Sequence, residues 1–379
     1  MTIVFVSNFI NHHQKPVADE LYRLTNGNYY FIATQAIPTS FLDAGYPDYS
    51  NLPYVLRAYE DEETYQEARD IADSADVVIC SGPDEYTVKR IKENKITFRY
   101  AERYFKAKPF WRHPGMVKYL FFHDAIYRNR RLYMLAASAY LANEMRLVGA
   151  YPDKIYKWGY FPNVENIDIQ KNLAAKRQTM LKLLWCARFI DWKHPEMIPK
   201  LANMLLENGY ENFEIEMIGS GIEEDSIKQL CSELNVGKFV KMIGNIPNEQ
   251  VIQKMKEANI FLFTSDRNEG WGAVLNEAMA SGCAVVVSNR IGAAPFLVKD
   301  NVNGLLFKSQ SIKDLFRKVK FLFDNRYLIE NYAKSAYESM SHTWSPKNAA
   351  ERFYKLSLAL LEGTDISYKE GPCSKALPQ

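Results

Sequence analysis

Two glutamates, Glu269 and Glu277, stand eight residues apart, and two glycines, Gly270 and Gly272, follow closely on the first. An apolar, strand-like run at 260–264 leads into them, and a helix-like run at 273–280 leads out. A strand, a glycine loop and a helix in that order let backbone N–H groups approach an anion. Carboxylates on either side of the anion would accept hydrogen bonds from hydroxyls. That is the chemistry of holding a nucleotide sugar. Counted along a helix, eight residues span about 12 Å, comparable with the separation of a hexose and a ribose joined by a diphosphate.

Other segments supply complementary chemistry. In 185–195, an apolar strand runs into a loop with two cations, Arg188 and Lys193. Arginine offers a planar fork to phosphate oxygens and lysine a point charge. Two further strand-like runs end in glycine, at Gly219 and at Gly244-Asn245-Ile246. Their exposed backbone is suited to a phosphate or a base edge, although a plain strand–helix turn has the same composition. In the first half, His12-His13-Gln14 follows the first strand, and Glu102-Arg103 follows the run 96–99. Adjacent histidines do not share a helix face as metal ligands usually do. They are read as hydrogen-bonding groups for sugar hydroxyls or phosphate. His123-Asp124 is a further candidate, with a helix-start aspartate as the other account.

These residues need strands to carry them. Apolar runs, most of them continuous and rich in Val, Ile, Leu and Phe, predict parallel strands covered on both faces at 3–7, 29–34, 77–80 and 96–99, then at 181–187, 213–218, 239–243, 260–264 and 284–287. Between them helices are expected at 16–24, 61–73, 130–148, 194–208, 224–234, 248–256 and 312–321. Alternation of this kind predicts two doubly wound α/β domains. At 379 residues the chain is too long for one ordinary core. The boundary is placed near 160–164, giving an N-terminal domain at 1–163 and a C-terminal domain at 164–343. A last amphipathic helix within 344–363 is capped by Ser345, and 364–379 is expected to be a flexible tail.

Bulk properties exclude several classes. A net charge of +2 gives no reason to expect a nucleic-acid partner. The five cysteines are odd in number and scattered, which fits reduced thiols in a cytoplasmic protein rather than a disulfide frame or a zinc site. The start of the chain passes directly into a strand and does not read as a signal peptide, and no apolar run reaches spanning length. Charge is nevertheless uneven. Residues 89–131 carry thirteen Lys/Arg against three acids, with ten aromatics interleaved. Two readings stay open: a segment lying on an anionic membrane surface, or a helical hairpin with core aromatics and solvated cations.

Taken together, Glu269 and Glu277, the Arg188/Lys193 pair, the segment 288–295 and Asn303-Gly304 resemble the family 4 retaining glycosyltransferases. The resemblance is strongest over 183–307. The N-terminal half is more loosely similar, through His12-His13-Gln14 and 100–103, to members that build bacterial surface polysaccharides. The family implies a GT-B fold, with two Rossmann-like domains facing a central cleft and the last helix crossing back to the first domain. It implies transfer of a hexosyl group, with retention, from a UDP- or GDP-sugar to a glycan or lipid-linked acceptor. Glu269 would hold the donor sugar and Glu277 the ribose. Arg188 and Lys193 would hold the diphosphate, and Gly219, Gly244, Asn245, Ile246 and the run Gly270, Trp271, Gly272, Ala273, Val274 would line the donor site. His12, His13, Gln14, Glu102 and Arg103 would face the acceptor side. Phe296 stands where the family often has a glutamate, and the first loop lacks its usual glycine pair. No Asp-x-Asp stands at a strand end, so no metal or other cofactor is expected. The rival readings are a sugar-nucleotide epimerase or phosphorylase of the same plan, and a non-catalytic subunit that binds a nucleotide sugar. A nicotinamide dehydrogenase is disfavoured by the missing glycine fingerprint after the first strand. The expected location is cytoplasmic, with possible attachment to the inner face of the membrane.

Overall fold

The structure is a computed structural model and describes residues 1–43, 45–106, 110–177 and 180–379. The chain divides into two compact units, one formed by 1–163 with 343–379 and the other by 164–342. Each is built on one parallel sheet.

In the first unit the strands are β1 (Ile3–Ser7), β2 (Tyr29–Ala33), β3 (Val55–Arg57), β4 (Val77–Cys80), β5 (Ile96–Ala101), β6 (Leu132–Ala136) and β7 (Ile155–Lys157). Their order across the sheet is β3-β2-β1-β4-β5-β6-β7. In the second unit β8 (Leu181–Cys186), β9 (Phe213–Ile218), β10 (Val240–Gly244), β11 (Ile260–Phe263), β12 (Ala284–Ser288) and β13 (Leu305–Phe307) lie in the order β10-β9-β8-β11-β12-β13. The order reverses between β1 and β4 in the first sheet and between β8 and β11 in the second. At such a reversal the connections leave toward opposite faces, which opens a crevice at the carboxyl ends of the strands. The two-domain α/β class expected from alternation is therefore present.

Burial explains the strands. All residues of β1, β4, β6, β11 and β12 are buried, as sheets covered on both faces require. One expectation fails here. Residues 130–148 do not form one helix: Leu132–Ala136 is a strand between β5 and β7, and only Leu141–Val148 is helical. The run Leu-Tyr-Met-Leu-Ala has no strong preference of its own, and its two neighbouring strands decide the outcome. Three short strands, β3, β7 and β13, also escape the sequence reading. Each has three residues, too few for a periodic signal.

The C-terminal residues complete the first unit. Ser345 caps the helix Pro346–Glu362 by accepting from the Asn348 amide, as expected. That helix packs on the helix Lys15–Leu24 and sets Phe353 against Phe98 and Trp158. The tail is not flexible along its length. The Lys157 amide donates to the Ser374 carbonyl at 2.7 Å, and the Cys373 and Ala376 amides donate to Lys157 and Ile155. Cys373, Ser374 and Ala376 are buried. β7 is an edge strand whose free backbone groups need partners, and the tail supplies them. The polar, proline-containing composition of 364–379 conceals this.

Candidate functional site

In the second unit the chemistry gathers at the carboxyl ends of β8 and β11, on either side of the sheet reversal. The Trp185 indole of β8 is fully buried and donates to the Thr264 hydroxyl at 2.8 Å. That hydroxyl donates to the Lys193 carbonyl at 2.6 Å. The Asp266 amide donates to the Trp192 carbonyl at 3.0 Å. The loop after β8 is thus tied at two points to the loop after β11. Between them the Lys193 ammonium is ion-paired with the Glu269 carboxylate, and both side chains are largely buried. The ammonium also lies 4.3 Å from the centre of the Trp192 ring and 5.9 Å from that of Phe263. A charge held against two aromatic faces and one carboxylate is both stabilised and restricted in position. Arg188 is exposed, with its guanidinium 5.8 Å from the Trp192 ring.

His194 and Asp266 brace this arrangement, and neither was assigned a role from sequence. His194 has a left-handed backbone, φ 53°. Its ring meets Glu196 at 3.1 Å through Nδ1 and Asp266 at 3.5 Å through Nε2. The hydrogen bond to Glu196 raises the imidazole pKa; burial opposes this, and the charges of Glu196 and Asp266 add to it. Asp266 also accepts from the Asn268 amide at 2.8 Å and from the Gln310 side chain at 3.3 Å. The sequence signal available for Asp266 was a carboxylate two residues beyond a buried strand and three before Glu269. Replacing Thr264 by Val leaves the Trp185 indole and the Lys193 carbonyl without that hydroxyl. Unit stability is expected to fall by about 1–3 kcal/mol, read from urea unfolding, and a change of under about 0.5 kcal/mol would show that this link carries no weight.

Glu277 lies in the first turn of the helix Val274–Ala280. Burial pushes the Cys186 thiol at the end of β8 up to about 12; the Glu277 carboxylate adds to that shift and the Lys193 ammonium opposes it. Cys186 therefore feels both charged groups. The helical 12 Å spacing of Glu269 and Glu277 does not apply, because Glu269 is in a loop and the helix begins only at Val274. The Trp271 indole is fully buried and donates to Asn276 at 2.9 Å, so its ring belongs to the core and only its backbone is left to face a ligand. Gly272 has φ 92°, and a Cβ there would stand 2.7 Å from the Phe263 ring. Ala273 and Val274, half-buried, begin the seven-residue helix, which has no side-chain cap.

The loop after β9 supports the loop that carries Arg188. A Cβ on Gly219 would meet the Ala187 carbonyl oxygen at 2.0 Å, and one on Gly221 the Phe189 carbonyl oxygen at 2.3 Å. The Phe189 amide donates to Ser220 at 2.9 Å. Gly219 is thus required by backbone packing, whatever else it touches. Gly244, at φ 80°, has open space around a Cβ position among the described residues. The neighbouring Asn245 side chain donates to Ser220 at 2.6 Å, and Ile246 is half-buried beside it.

The first unit has its own polar cavity, of about 680 Å³, at the carboxyl ends of β1, β4 and β5. Ser7, Asn8, Gln14, Glu102, Arg103 and Tyr160 are among its lining residues. Glu102 accepts from Lys106 at 2.6 Å and from the Tyr160 hydroxyl at 2.9 Å. Arg103 is buried, ion-paired with Glu144 at 3.4 Å and set over the Tyr140 ring. Arg99, also in the lining, pairs with Asp84 at 2.6 Å and with Asp124, a further lining residue, at 3.4 Å. Asp124 is therefore a buried member of a charge cluster and not merely a helix-start residue; burial raises its pKa and Arg99 opposes this. His12 and His13 are not in the lining. His12 stacks on Tyr46 at 4.7 Å and His13 on Tyr160 at 5.5 Å, and burial with the His12 charge holds the His13 imidazole well below its ordinary pKa.

Residues 166–339 match the family model of glycosyl transferases group 1. That span is nearly the whole of the second unit, and it contains the paired loops. The match to the glycosyl transferases group 1 family is thus carried by the second unit. An uncharacterized glycosyltransferase of Methanocaldococcus jannaschii is 26% identical over 203 residues, 53% of this chain and 51% of that protein. The amylovoran biosynthesis glycosyltransferase AmsK of Erwinia amylovora is 33% identical over 131 residues, 33% of this chain and 32% of that protein. The chain thus spans about half or less of the length of these relatives. A crystal structure of Anabaena HepE in complex with UDP superposes with a TM-score of 0.69 at 14% identity, over 95% of this chain and 100% of that one. At that identity the likeness shows the fold, which is GT-B, as the resemblance implied. The matched span holds Arg188, Lys193, Glu269 and Glu277, the first three on the loops after the central strands β8 and β11.

Proposed function

We propose that the chain is a retaining glycosyltransferase that moves a hexosyl group from a nucleoside-diphosphate sugar to a glycan or lipid-linked acceptor in the synthesis of a surface polysaccharide. The observation that carries the reading is the Lys193–Glu269 pair at the sheet reversal of the second unit, with Arg188 on the same loop. Glu269 receives the donor's sugar hydroxyls, Glu277 its ribose, and Lys193 and Arg188 its diphosphate. UDP bound to HepE and the amylovoran biosynthesis named for AmsK support the donor and the pathway class.

The physical demand of the reaction matches these groups. As the glycosidic bond breaks, the sugar gains oxocarbenium character and negative charge grows on the leaving diphosphate. A fixed ammonium favours that growth without reorganising. Glu269 restrains the ammonium before the donor arrives and has free lone pairs for hydroxyl donors. The polar cavity of the first unit, lined by carboxamides, tyrosines and Glu102, takes the acceptor.

The reading is tested by thermal unfolding with UDP-, GDP- and ADP-sugars. The correct donor at about a hundred times its dissociation constant stabilises by about 2.7 kcal/mol. A panel in which none of the three classes raises the midpoint removes the donor assignment. A stabilising donor that yields no transferred sugar with any glycan or lipid-linked acceptor favours the non-catalytic rival.

A further inference from the structure

The helix Pro114–His123 in the first unit turns its apolar residues the wrong way for a core. Of its ten residues only Leu120 is buried. At 100° per residue, Lys118 and Phe122 fall opposite Leu120, and Phe121 lies on the flank. Phe121 and Phe122 are 49% and 52% exposed; Trp111 just before the helix is 69% exposed, and Ile126 just after it 50%. The inner side is firmly held. The Tyr119 hydroxyl donates to Asp84 at 2.8 Å, and the His123 ring lies 3.0 Å from the same carboxylate. The outward face is therefore a fixed display of large apolar groups, more concentrated than the scattered apolar residues of an ordinary surface.

Charge indicates what covers it. Arg112, Lys118, Arg128 and Arg130 are all exposed within or beside this segment. The single acid between residues 103 and 143 is Asp124, which is buried against Arg99. Exposed Trp and Phe interleaved with Lys and Arg, with no exposed acid, complement an apolar layer beneath anionic headgroups. We infer that the segment 110–130 docks on an anionic lipid bilayer, with Trp111, Phe121 and Phe122 entering the headgroup boundary and the four cations facing lipid phosphates. No helix of the described residues is long and apolar enough to cross a membrane, so the contact is peripheral. Tyr119 belongs both to this helix and to the lining of the polar cavity. Docking brings that cavity to the headgroups, where an acceptor carried on a lipid is presented. This consequence rests on the proposed transfer; the docking does not.

The test is co-sedimentation of the full chain with vesicles of phosphatidylcholine alone and of phosphatidylcholine with phosphatidylglycerol. Binding is expected only to the second, with release in high salt. The double substitution Phe121→Ser with Phe122→Ser is expected to reduce partitioning about tenfold, and Arg112→Glu with Lys118→Glu to reduce it at least as much. Both pairs are exposed, and unchanged thermal midpoints and donor-induced shifts establish intact units. Absence of binding to anionic vesicles overturns the inference, as does equal binding by the double-serine protein or salt-insensitive binding to both vesicle types. None of these outcomes bears on the donor assignment, which the thermal shifts read separately.

Discussion

Lys193→Ala is expected to lower the rate of sugar transfer by about 10²–10³-fold. A cation about 4 Å from a phosphate charge contributes roughly 4 kcal/mol at an effective dielectric of 20. Only the part that grows between ground state and transition state accelerates the reaction, because the bound diphosphate is already charged. Lys193 is suited to supply that part. Its ammonium is ion-paired to Glu269, lies against the Trp192 and Phe263 rings, and its carbonyl is fixed by Thr264. Preorganisation of this kind is lost when the side chain is removed, and a water molecule that replaces it must reorient as charge develops. Glu269 is left as a largely buried carboxylate without its cation, so donor affinity falls as well. The exposed Lys200→Ala is the control for charge removal in general. Initial rates at saturating donor, with the acceptor held fixed, give the comparison. A Lys193→Ala protein within about twofold of the parent would show that the pair is a structural ion pair and not part of the transfer site.

The second large effect is on folding. Gly219→Ala is expected to destabilise the second unit by about 3–5 kcal/mol. At φ 127° the position already disfavours an L side chain, and the added Cβ would lie 2.0 Å from the Ala187 carbonyl oxygen. Neither side can yield cheaply. Ala187 donates through its amide to the Ile218 carbonyl at 3.1 Å, and Phe189 is held to Ser220 at 2.9 Å, so moving one loop breaks the other. Gly244→Ala is the internal comparison. Its φ is also positive, at 80°, but the space is open, and it is expected to lose only about 1–2 kcal/mol of backbone preference. Urea unfolding followed by tryptophan fluorescence measures both, because Trp185 and Trp271 are buried in this unit. The chain has two units, so the transitions are fitted separately. Equal losses for the two variants would mean that the close approach at Gly219 relaxes without cost. Donor binding should fall in Gly219→Ala even where folding is retained, since the displaced loop carries Arg188.

The residues alone determined which parts of the chain are strands when the apolar run was long and β-branched. β1, β4, β11 and β12 follow from composition because burial on both faces selects apolar residues at every position, while β8 and β9 keep enough buried apolar positions to be read although Lys182, Glu214 and Glu216 interrupt them. Glu269, Glu277, Arg188 and Lys193 stood out by their combination, two carboxylates around a glycine loop and two cations on another strand-end loop, since each segment alone is also compatible with a plain turn. Tertiary structure decided what no local pattern contains. Leu132–Ala136 became a strand because β5 and β7 flank it, and 373–376 became ordered because β7 has a free edge. Trp271 lies one residue from Gly270 and from Gly272 in sequence, yet its ring points into the core toward Asn276. The partnership of Lys193 with Glu269, and the bracing by Trp185, Thr264, His194 and Asp266, join residues more than seventy positions apart. Pairing at that distance depends on the order β8-β11 across the sheet. Strand order is set by the packing of connecting helices on the two faces, a property of the whole unit that no single segment encodes.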